Sequence, residues 1–289
     1  MKKILLIALT ICLFGPGCTK TVKDDGSDID ISGYTTLNAK IENLELPGYD
    51  PAVSLWSSHD QIALFSEDRD VAVIWKLRLS SDGSADATFY GPLVTGQKIF
   101  GVFPYDSSLE YNGVGVACEL AGVQGINTEK SASEHFLDYN PHVYGMVEDG
   151  EIDFHYAYGL LKIDFDLAFP VQISGLSISD KSKYLSGRMM YDGMNLIETG
   201  ASSNTIILDF AGENYMSDVL TAYAVIRPDT YEELEITITL ADGEKISLKA
   251  PQLTIERISS EHFTAGHITI SSSDLPSLEQ EEGYWEEAK

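Results

Sequence analysis

The sequence predicts an all-β protein, and three observations support this fold class. Apolar and polar residues alternate with a period of two in many segments, as from Leu234 to Leu240, where every second side chain is apolar. This alternation is typical of strands with one buried and one solvated face. Asp-Gly pairs, which favour the tight turns of hairpins, occur at 82–83, 149–150, 192–193 and 242–243. No segment of a dozen residues carries a sustained helical apolar stripe.

Residues 1–17 have the pattern of a secretory signal peptide. Lys2 and Lys3 form a basic start, and the apolar segment from Ile4 to Phe14 is too short to span a bilayer, which needs about 20 residues. The following Gly-Pro-Gly before Cys18 resembles the lipobox of bacterial lipoproteins, although Gly15 replaces the preferred leucine. The resemblance implies cleavage before Cys18 and lipidation of its thiol. The alternative is an ordinary signal peptide with an incidental cysteine.

Residues 18–32 are predicted to form a lipidated tether, because the stretch from Thr19 to Asp30 is polar and poor in apolar side chains. Thr19 directly follows Cys18, at the position where an aspartate would resemble an inner-membrane retention signal. The run Lys23, Asp24 and Asp25 resembles the signal that sends Bacteroidota lipoproteins to the outer face of the cell. The alternative is a simple polar linker. We therefore expect a protein in the outer membrane, anchored there only by its lipid and exposed on the cell surface.

The body of the chain is predicted to form two β domains, 33–149 and 150–273, followed by an acidic tail over 274–289. A polar turn pattern from Val147 to Gly150 sets the boundary. Beyond it, apolar residues occupy even positions up to Tyr158 and odd positions from Leu161 onward. A β-bulge at Gly159 would re-aim the side chains in this way. Each half is long enough for a β-sandwich of its own.

Composition excludes several classes of partner. The chain has 19 Lys and Arg residues against 45 Asp and Glu residues, a formal net charge of −26. Such a surface repels phosphate groups, so we expect no binding to nucleic acid and no electrostatic attraction to anionic membranes. After removal of the signal and lipidation of Cys18, Cys118 is the remaining cysteine, and its apolar surroundings in sequence predict a buried structural thiol. We expect no cofactor.

No sequence pattern indicates catalysis or a metal site. The six histidines never fall at a metal-ligand spacing, and the nucleophile-elbow and phosphate-loop motifs are missing. Acidic pairs such as Asp164 and Asp166 share the solvent face of one strand, where their charges need only water. We therefore expect that the protein is not an enzyme. Four large aromatic residues could stack on sugars or pack in the core: Trp56, Trp75, Tyr90 and Tyr105.

Four local patterns, in the same order along the chain, resemble those of the fimbrillin family of Bacteroidota, which comprises type V pilins and their accessory lipoproteins. They are Trp56 to Phe65, Val102 to Tyr105, Phe154 to Ile163, and Val225 to Tyr231 with a following Thr-Ile-Glu-Arg at 254–257. In the third pattern the histidine directly follows the phenylalanine, which departs from the family spacing. The resemblance implies two tandem transthyretin-like β-sandwich domains, mainly antiparallel and of Greek-key type.

The resemblance also implies a mode of assembly, donor-strand exchange, in which a protease removes an N-terminal strand and a strand of a neighbouring subunit fills the groove. The strand to be removed would lie between Tyr34 and Leu46, with Leu37, Ala39 and Ile41 as its apolar side chains. The donor strand would lie near the C-terminus and use Ile268 and Ile270. The alternative is that each strand simply completes its own domain. No arginine occurs between Cys18 and Asp68, so an arginine-specific cut is excluded there, whereas Lys23 and Lys40 remain possible sites. The missing arginine favours an uncleaved anchor or accessory subunit, or a different protease.

The function that these patterns favour is a structural or accessory subunit, such as an anchor or tip, of a type V pilus with a role in adhesion. Its partners would be other pilus subunits and a surface ligand or glycan. The alternative is a monomeric glycan-binding lipoprotein of a carbohydrate-uptake system in the outer membrane.

Overall fold

The structure is a computed structural model, and it is predominantly β, which confirms the predicted fold class. Among its described residues, no helix has the length and apolar character needed to cross a membrane. The structure describes residues 21–24, 27–30, 33–42, 56–78, 81–126, 131–140, 142–193, 195–210, 215–258 and 266–274.

The described part contains strands β1 to β21 and one α-helix, α1. In chain order they are β1 (Thr21–Asp24), β2 (Ser27–Asp30), β3 (Tyr34–Ile41), β4 (Gln61–Ser66), β5 (Arg69–Leu77), β6 (Asp86–Pro92), β7 (Ile99–Phe103), β8 (Val116–Leu120), β9 (Val123–Gly125), α1 (Ala132–Tyr139), β10 (Val143–Glu148), β11 (Glu151–Tyr156), β12 (Gly159–Ser179), β13 (Ser186–Tyr191), β14 (Leu196–Ser203), β15 (Thr205–Asp209), β16 (Tyr215–Ile226), β17 (Asp229–Tyr231), β18 (Glu235–Leu240), β19 (Lys245–Lys249), β20 (Leu253–Ile255) and β21 (Gly266–Ser271). A short 3₁₀ helix, Ser272–Asp274, follows β21.

Seven strands of the N-terminal part close into a barrel in the order β10-β11-β3-β6-β5-β4-β7. The sequence predicts a β-sandwich over 33–149, whereas the structure has a closed sheet here, because β7 pairs with β10 as well as with β4. Closure removes the free edges that an open sheet would leave. The barrel interior is filled by large side chains, among them Trp56, Phe89 and Phe154, which stack edge to face or at a tilt.

The C-terminal part is organised around β12, which spans 21 residues. Its first half pairs with β16 on one side and β21 on the other, and its second half pairs with β15 and β18. The register shifts between Asp166 and Val171 in the pairing with β16, and between Ile173 and Gly175 in the pairing with β18, so the ladders of β12 are irregular near its middle. The side chains that β12 buries from Leu161 onward belong to a second hydrophobic core, separate from that of the barrel.

Two strands from the N-terminal half pair with strands of the C-terminal half. β8 joins β13 and β14 in a three-stranded sheet, and β9 pairs in parallel with β15. The buried Gln124 side chain of β9 stabilises this link between the two halves, because it accepts a hydrogen bond from Val225 N and donates one to Val225 O. The boundary between residues 149 and 150 stays a prediction.

The prediction of a β-bulge at Gly159 is wrong, although the buried parity does change there. β11 ends at Tyr156 and β12 begins at Gly159, so the change of buried parity falls in a break between two strands. A glycine is needed there because the chain packs against another backbone: a Cβ at Gly159 would lie 2.5 Å from Glu256 O.

The sequence reasoning missed helix α1, because eight residues are too few to show a helical stripe. Its signal was the capping box at Ser131 and Glu134. The Ser131 hydroxyl accepts a hydrogen bond from Glu134 N, and the Glu134 carboxylate accepts one from Ser131 N.

All four Asp-Gly pairs lie at turns, as predicted. The glycines at 83, 150, 193 and 243 have positive φ, which glycine adopts without strain. In the β10–β11 hairpin both turn residues are left-handed, with φ of 50° at Asp149 and 84° at Gly150. This is the geometry of the type I′ turn that matches strand twist.

Candidate functional site

Strand β3 holds the three residues predicted for the exchanged N-terminal strand. Leu37, Ala39 and Ile41 all point into the barrel core and are 3%, 4% and 9% exposed. The side chains between them face outward, so the strand has one apolar and one solvated face. Residues 43–46 of the predicted strand lie outside the described residues.

The position of β3 makes it the strand that closes the barrel on one side. It pairs antiparallel with β6, from Tyr34 opposite Pro92 to Lys40 opposite Asp86. It pairs in parallel with β11, which comes more than a hundred residues later in the chain. Removing β3 would therefore leave two unpaired strand edges and a groove lined by the apolar side chains that it covered.

Glu42, directly after β3, ties this strand to the C-terminal half of the chain. Its Oε2 atom lies 2.7 Å from Arg257 Nη1 and 3.1 Å from His155 Nδ1. The Glu42 side chain is only 10% exposed. Arg257 Nη1 also donates to the carbonyl oxygens of Tyr156 and Ile258, so the guanidinium is held in place from several sides. Sequence reasoning missed this cluster, because Glu42 and Arg257 are 215 positions apart.

The outer face of β3 borders a small polar pocket of about 340 Å³ between β6 and β11. Lys40 Nζ lies 3.2 Å from Asp153 Oδ1, with both side chains about half exposed. Thr88 donates a hydrogen bond to the Asn38 side chain on the same face. These contacts are solvated, so they add little to the stability of β3 compared with its buried face.

Strand β21 holds the residues predicted for the C-terminal donor strand. Ile268 and Ile270 point into the second core, while His267 and Thr269 face solvent. β21 pairs in parallel with β12 and, among the described strands, with no other. It is therefore an edge strand of its sheet, held by one ladder of hydrogen bonds. The strand predicted around Ile268 and Ile270 is thus observed as Gly266–Ser271.

A polar cluster on the solvent face links β21 to its neighbours. Asp164 lies 2.7 Å from both Lys162 Nζ and His267 Nε2, and its other oxygen accepts a hydrogen bond from the Thr221 hydroxyl at 2.6 Å. Burial acts to raise the pKa of Asp164, but the hydrogen bonds from Lys162, Thr221 and His267 outweigh it, so the pKa lies below the usual value for aspartate.

We expect the Asp164→Asn variant to lose thermal stability in a pH-dependent way. A carboxyl group whose pKa is lower in the folded state stabilises the fold above its unfolded pKa of about 3.9, and this contribution is lost as pH falls through the folded pKa. The difference in Tm between wild type and variant should therefore be largest at pH 5–7 and shrink below about pH 4. Asp166→Asn, at an exposed position of the same strand face, is the control. An equal Tm loss at pH 3 and pH 6 would contradict this expectation.

The predicted export residues are only partly within the described part. Lys23 and Asp24 lie in β1, opposite Asp28 and Ser27 of β2, so two short strands pair inside the stretch predicted as a tether. Cys18 and Asp25 lie outside the described residues, and so does the tail after Asp274. Lipidation at Cys18 and the export role of these residues stay predictions.

Of the aromatic residues considered as sugar platforms, Trp56 and Trp75 are buried in the barrel core and Tyr105 is half-buried against it. Tyr90 is buried as well, but it lies outside that core and stacks on Tyr34. Cys118 is buried as predicted, and this burial raises the pKa of its thiol to about 11, which is typical of an unreactive structural cysteine. Across the described residues, no group of three or more His, Cys, Asp or Glu side chains is arranged to hold a metal ion.

No protein-family model matches the sequence, and no curated protein matches it. Solved structures do resemble it at low identity. A Bacteroides ovatus protein designated as a cell adhesion protein is 12% identical, with a TM-score of 0.48 over 82% of this chain and 91% of that one. The fimbrial anchor protein Mfa2 of Porphyromonas gingivalis is 12% identical, with a TM-score of 0.40 over 74% of this chain and 81% of that one.

The tip fimbrial protein Mfa3 of Porphyromonas gingivalis is 10% identical, with a TM-score of 0.31 over 82% of this chain and 93% of that one. The structural neighbours of this chain are thus fimbrial and adhesion proteins of Bacteroidota, the group that its sequence patterns resemble.

Proposed function

We propose that the protein is a cell-surface lipoprotein of fimbrillin type that serves as a structural, anchor or tip subunit of a type V pilus and contributes to adhesion. It is held in the outer membrane by the lipid on Cys18, and it works by assembly and not by catalysis. Two tandem domains of transthyretin-like type belong to this proposal, and the two separate hydrophobic cores support them.

The position of β3 carries the proposal. It is an N-terminal strand, it inserts three apolar side chains into the barrel, and it pairs along both edges with β6 and β11. A strand of this kind can be replaced by another strand with the same alternation, because most of its contacts are main-chain hydrogen bonds and apolar packing. β21 has the matching alternation, and among the described strands it pairs with β12 alone, at a sheet edge.

The direct test is controlled removal of β3. The lipid-free mature chain receives a specific protease site in the segment between residues 43 and 55, is cut, and is then incubated in mild denaturant so that the severed strand can leave. If the proposal is correct, size-exclusion chromatography and electron microscopy will show head-to-tail polymers of the cut chain. The uncut protein is expected to stay monomeric.

Two additions make the assay specific. A synthetic peptide of residues 33–42 should suppress polymerisation by refilling the groove, whereas the same peptide with aspartate at Leu37 and Ile41 should not. A cut chain that also lacks residues 266–289 should not polymerise, since it has no donor strand.

The competing function, a monomeric glycan-binding lipoprotein, predicts a different outcome. A cut chain that stays monomeric and is retarded by polysaccharide in an affinity gel would overturn the pilus proposal. N-terminal sequencing of the protein from cells then distinguishes the subunit types. A blocked N-terminus at Cys18 indicates a lipid-bound anchor, and a free one near residue 40 indicates a processed subunit.

A further inference from the structure

We name the short segment Ile255–Ile258 the connector. It contacts Glu42, directly after β3, and Gly266, the first residue of β21. It begins in the last residue of β20 and leads towards β21. Ile258 is 1% exposed, and its side chain belongs to the barrel core although the segment comes from the C-terminal half. Ile258 N donates a hydrogen bond to Tyr158 O at 3.1 Å. The connector is therefore attached to the barrel core by the Ile258 side chain, and to the break between β11 and β12 by its backbone.

Close packing fixes the connector against the start of β12. A Cβ on Gly159 would lie 2.5 Å from Glu256 O and 2.6 Å from Ile255 Cγ2. Real Cβ atoms do not approach other atoms this closely, so only glycine allows the contact. The connector consequently lies directly over the junction between the barrel and β12.

The same segment touches the first residue of β21. A Cβ on Gly266 would lie 2.9 Å from Ile255 Cγ1 and 3.0 Å from Leu253 Cδ2. Ile255 therefore packs against both Gly159 and Gly266, and its side chain belongs to the second core. A displacement of the connector would loosen the N-terminal end of β21.

On its other side the connector is held by β3. Arg257 Nη1 lies 2.7 Å from Glu42 Oε2, and the carboxylate also faces His155. The Glu42 side chain is 10% exposed and that of Arg257 36%, so the pair is partly desolvated, and removal of the carboxylate costs the guanidinium a favourable partner. When β3 and Glu42 leave the barrel, Arg257 loses this carboxylate, while its carbonyl acceptors belong to the connector and to β11.

We propose that the Glu42–Arg257 ion pair couples β3 to β21 through the connector, so that departure of the N-terminal strand loosens the C-terminal one. The biological role of this coupling rests on the proposed function, because the coupling would make the donor strand β21 available only in a subunit whose own groove is open. It depends on contacts within one chain, however, so it can be tested without polymerisation. The coupling is reciprocal: loosening the connector must also loosen β3 by the same factor.

The test is hydrogen exchange, measured by mass spectrometry on the full mature chain as a monomer. Glu42→Ala is expected to speed exchange of the amides of residues 266–271 roughly tenfold, as local opening becomes easier. Arg257→Ala should speed exchange of residues 34–42 by a similar factor. The double variant should show a smaller increase than the two single effects combined, because both variants remove the Glu42–Arg257 pair, while Glu42 also pairs with His155 and Arg257 also donates to the carbonyls of Tyr156 and Ile258.

The control is Lys40→Ala, which breaks the solvated pair with Asp153 on the same strand and should change exchange of 266–271 by less than about twofold. Exchange of residues 235–240 in β18 serves as an internal standard for global unfolding. If Glu42→Ala speeds β18 equally, the milder Glu42→Gln is measured in its place.

The coupling would be overturned if either Glu42 variant speeds exchange in β3 and leaves 266–271 at the wild-type rate, or if the two single effects simply add. Failure of the pilus proposal is distinguishable from this result, because a chain can show the coupled exchange and still remain monomeric after β3 is cut.

Discussion

Replacing Leu37 with aspartate is expected to destabilise the protein by about 4 kcal/mol, enough to weaken or open the barrel along β3. Leu37 is 3% exposed and lies in the middle of the strand that closes the barrel between β6 and β11. The variant loses the apolar packing of leucine and places a carboxylate in a core that offers it no counter-charge on the same strand face.

The measurement is the free energy of unfolding in urea, with Asn38→Asp as the matched control. Asn38 is the next residue of the same strand, but it faces solvent and accepts a hydrogen bond from Thr88, which aspartate can also do. The control should stay within about 0.5 kcal/mol of wild type. A loss of less than about 1 kcal/mol in Leu37→Asp would mean that β3 does not contribute to the barrel core, and the proposed exchange would lose its physical basis.

Replacing Gly159 with alanine is expected to cost about 3 kcal/mol, although it adds a single methyl group. The added Cβ would fall 2.5 Å from Glu256 O, which is a backbone atom and cannot move without moving the connector. We therefore expect faster hydrogen exchange in residues 253–258 together with the loss of stability.

Gly175→Ala is the control, because Gly175 lies in the same strand, has no heavy atom within 4 Å of its would-be Cβ and is free of positive φ. It should be neutral or more stable by up to about 1 kcal/mol, since alanine reduces the entropy of the unfolded chain. Equal losses at both positions would show that β12 rejects any side chain at its glycines, which would contradict the role assigned to the connector contact.

Local features of the fold could be predicted well from sequence. The alternation from Leu234 to Leu240 appears in the structure as alternating buried and half-buried residues, and the Asp-Gly pairs lie at turns. The buried sides of β3 and β21 were also predicted correctly, residue by residue. Each of these depends on residues within a few positions of one another, which is why sequence patterns indicate them.

Pairing between strands could not be predicted in this way. Alternation shows which face of β3 is buried, but it does not show that β11 is its parallel neighbour. The change of parity at Gly159 was placed correctly and interpreted wrongly as a bulge, and the need for glycine there comes from the backbone of Glu256, almost a hundred residues away. Closure of the barrel could not be predicted for the same reason, since it depends on the pairing of β7 with β10, which are separate segments of the chain.

The sequence by itself determined that this is an acidic, all-β protein with a predicted export signal, and it identified two strands with the alternation that assembly would require. Only the tertiary structure decided that the first of these strands closes a barrel and that Glu42 at its end meets Arg257. The physical reason is that backbone conformation and side-chain facing are local properties of the chain. Strand neighbours and ion pairs across 215 positions depend on how the whole core packs.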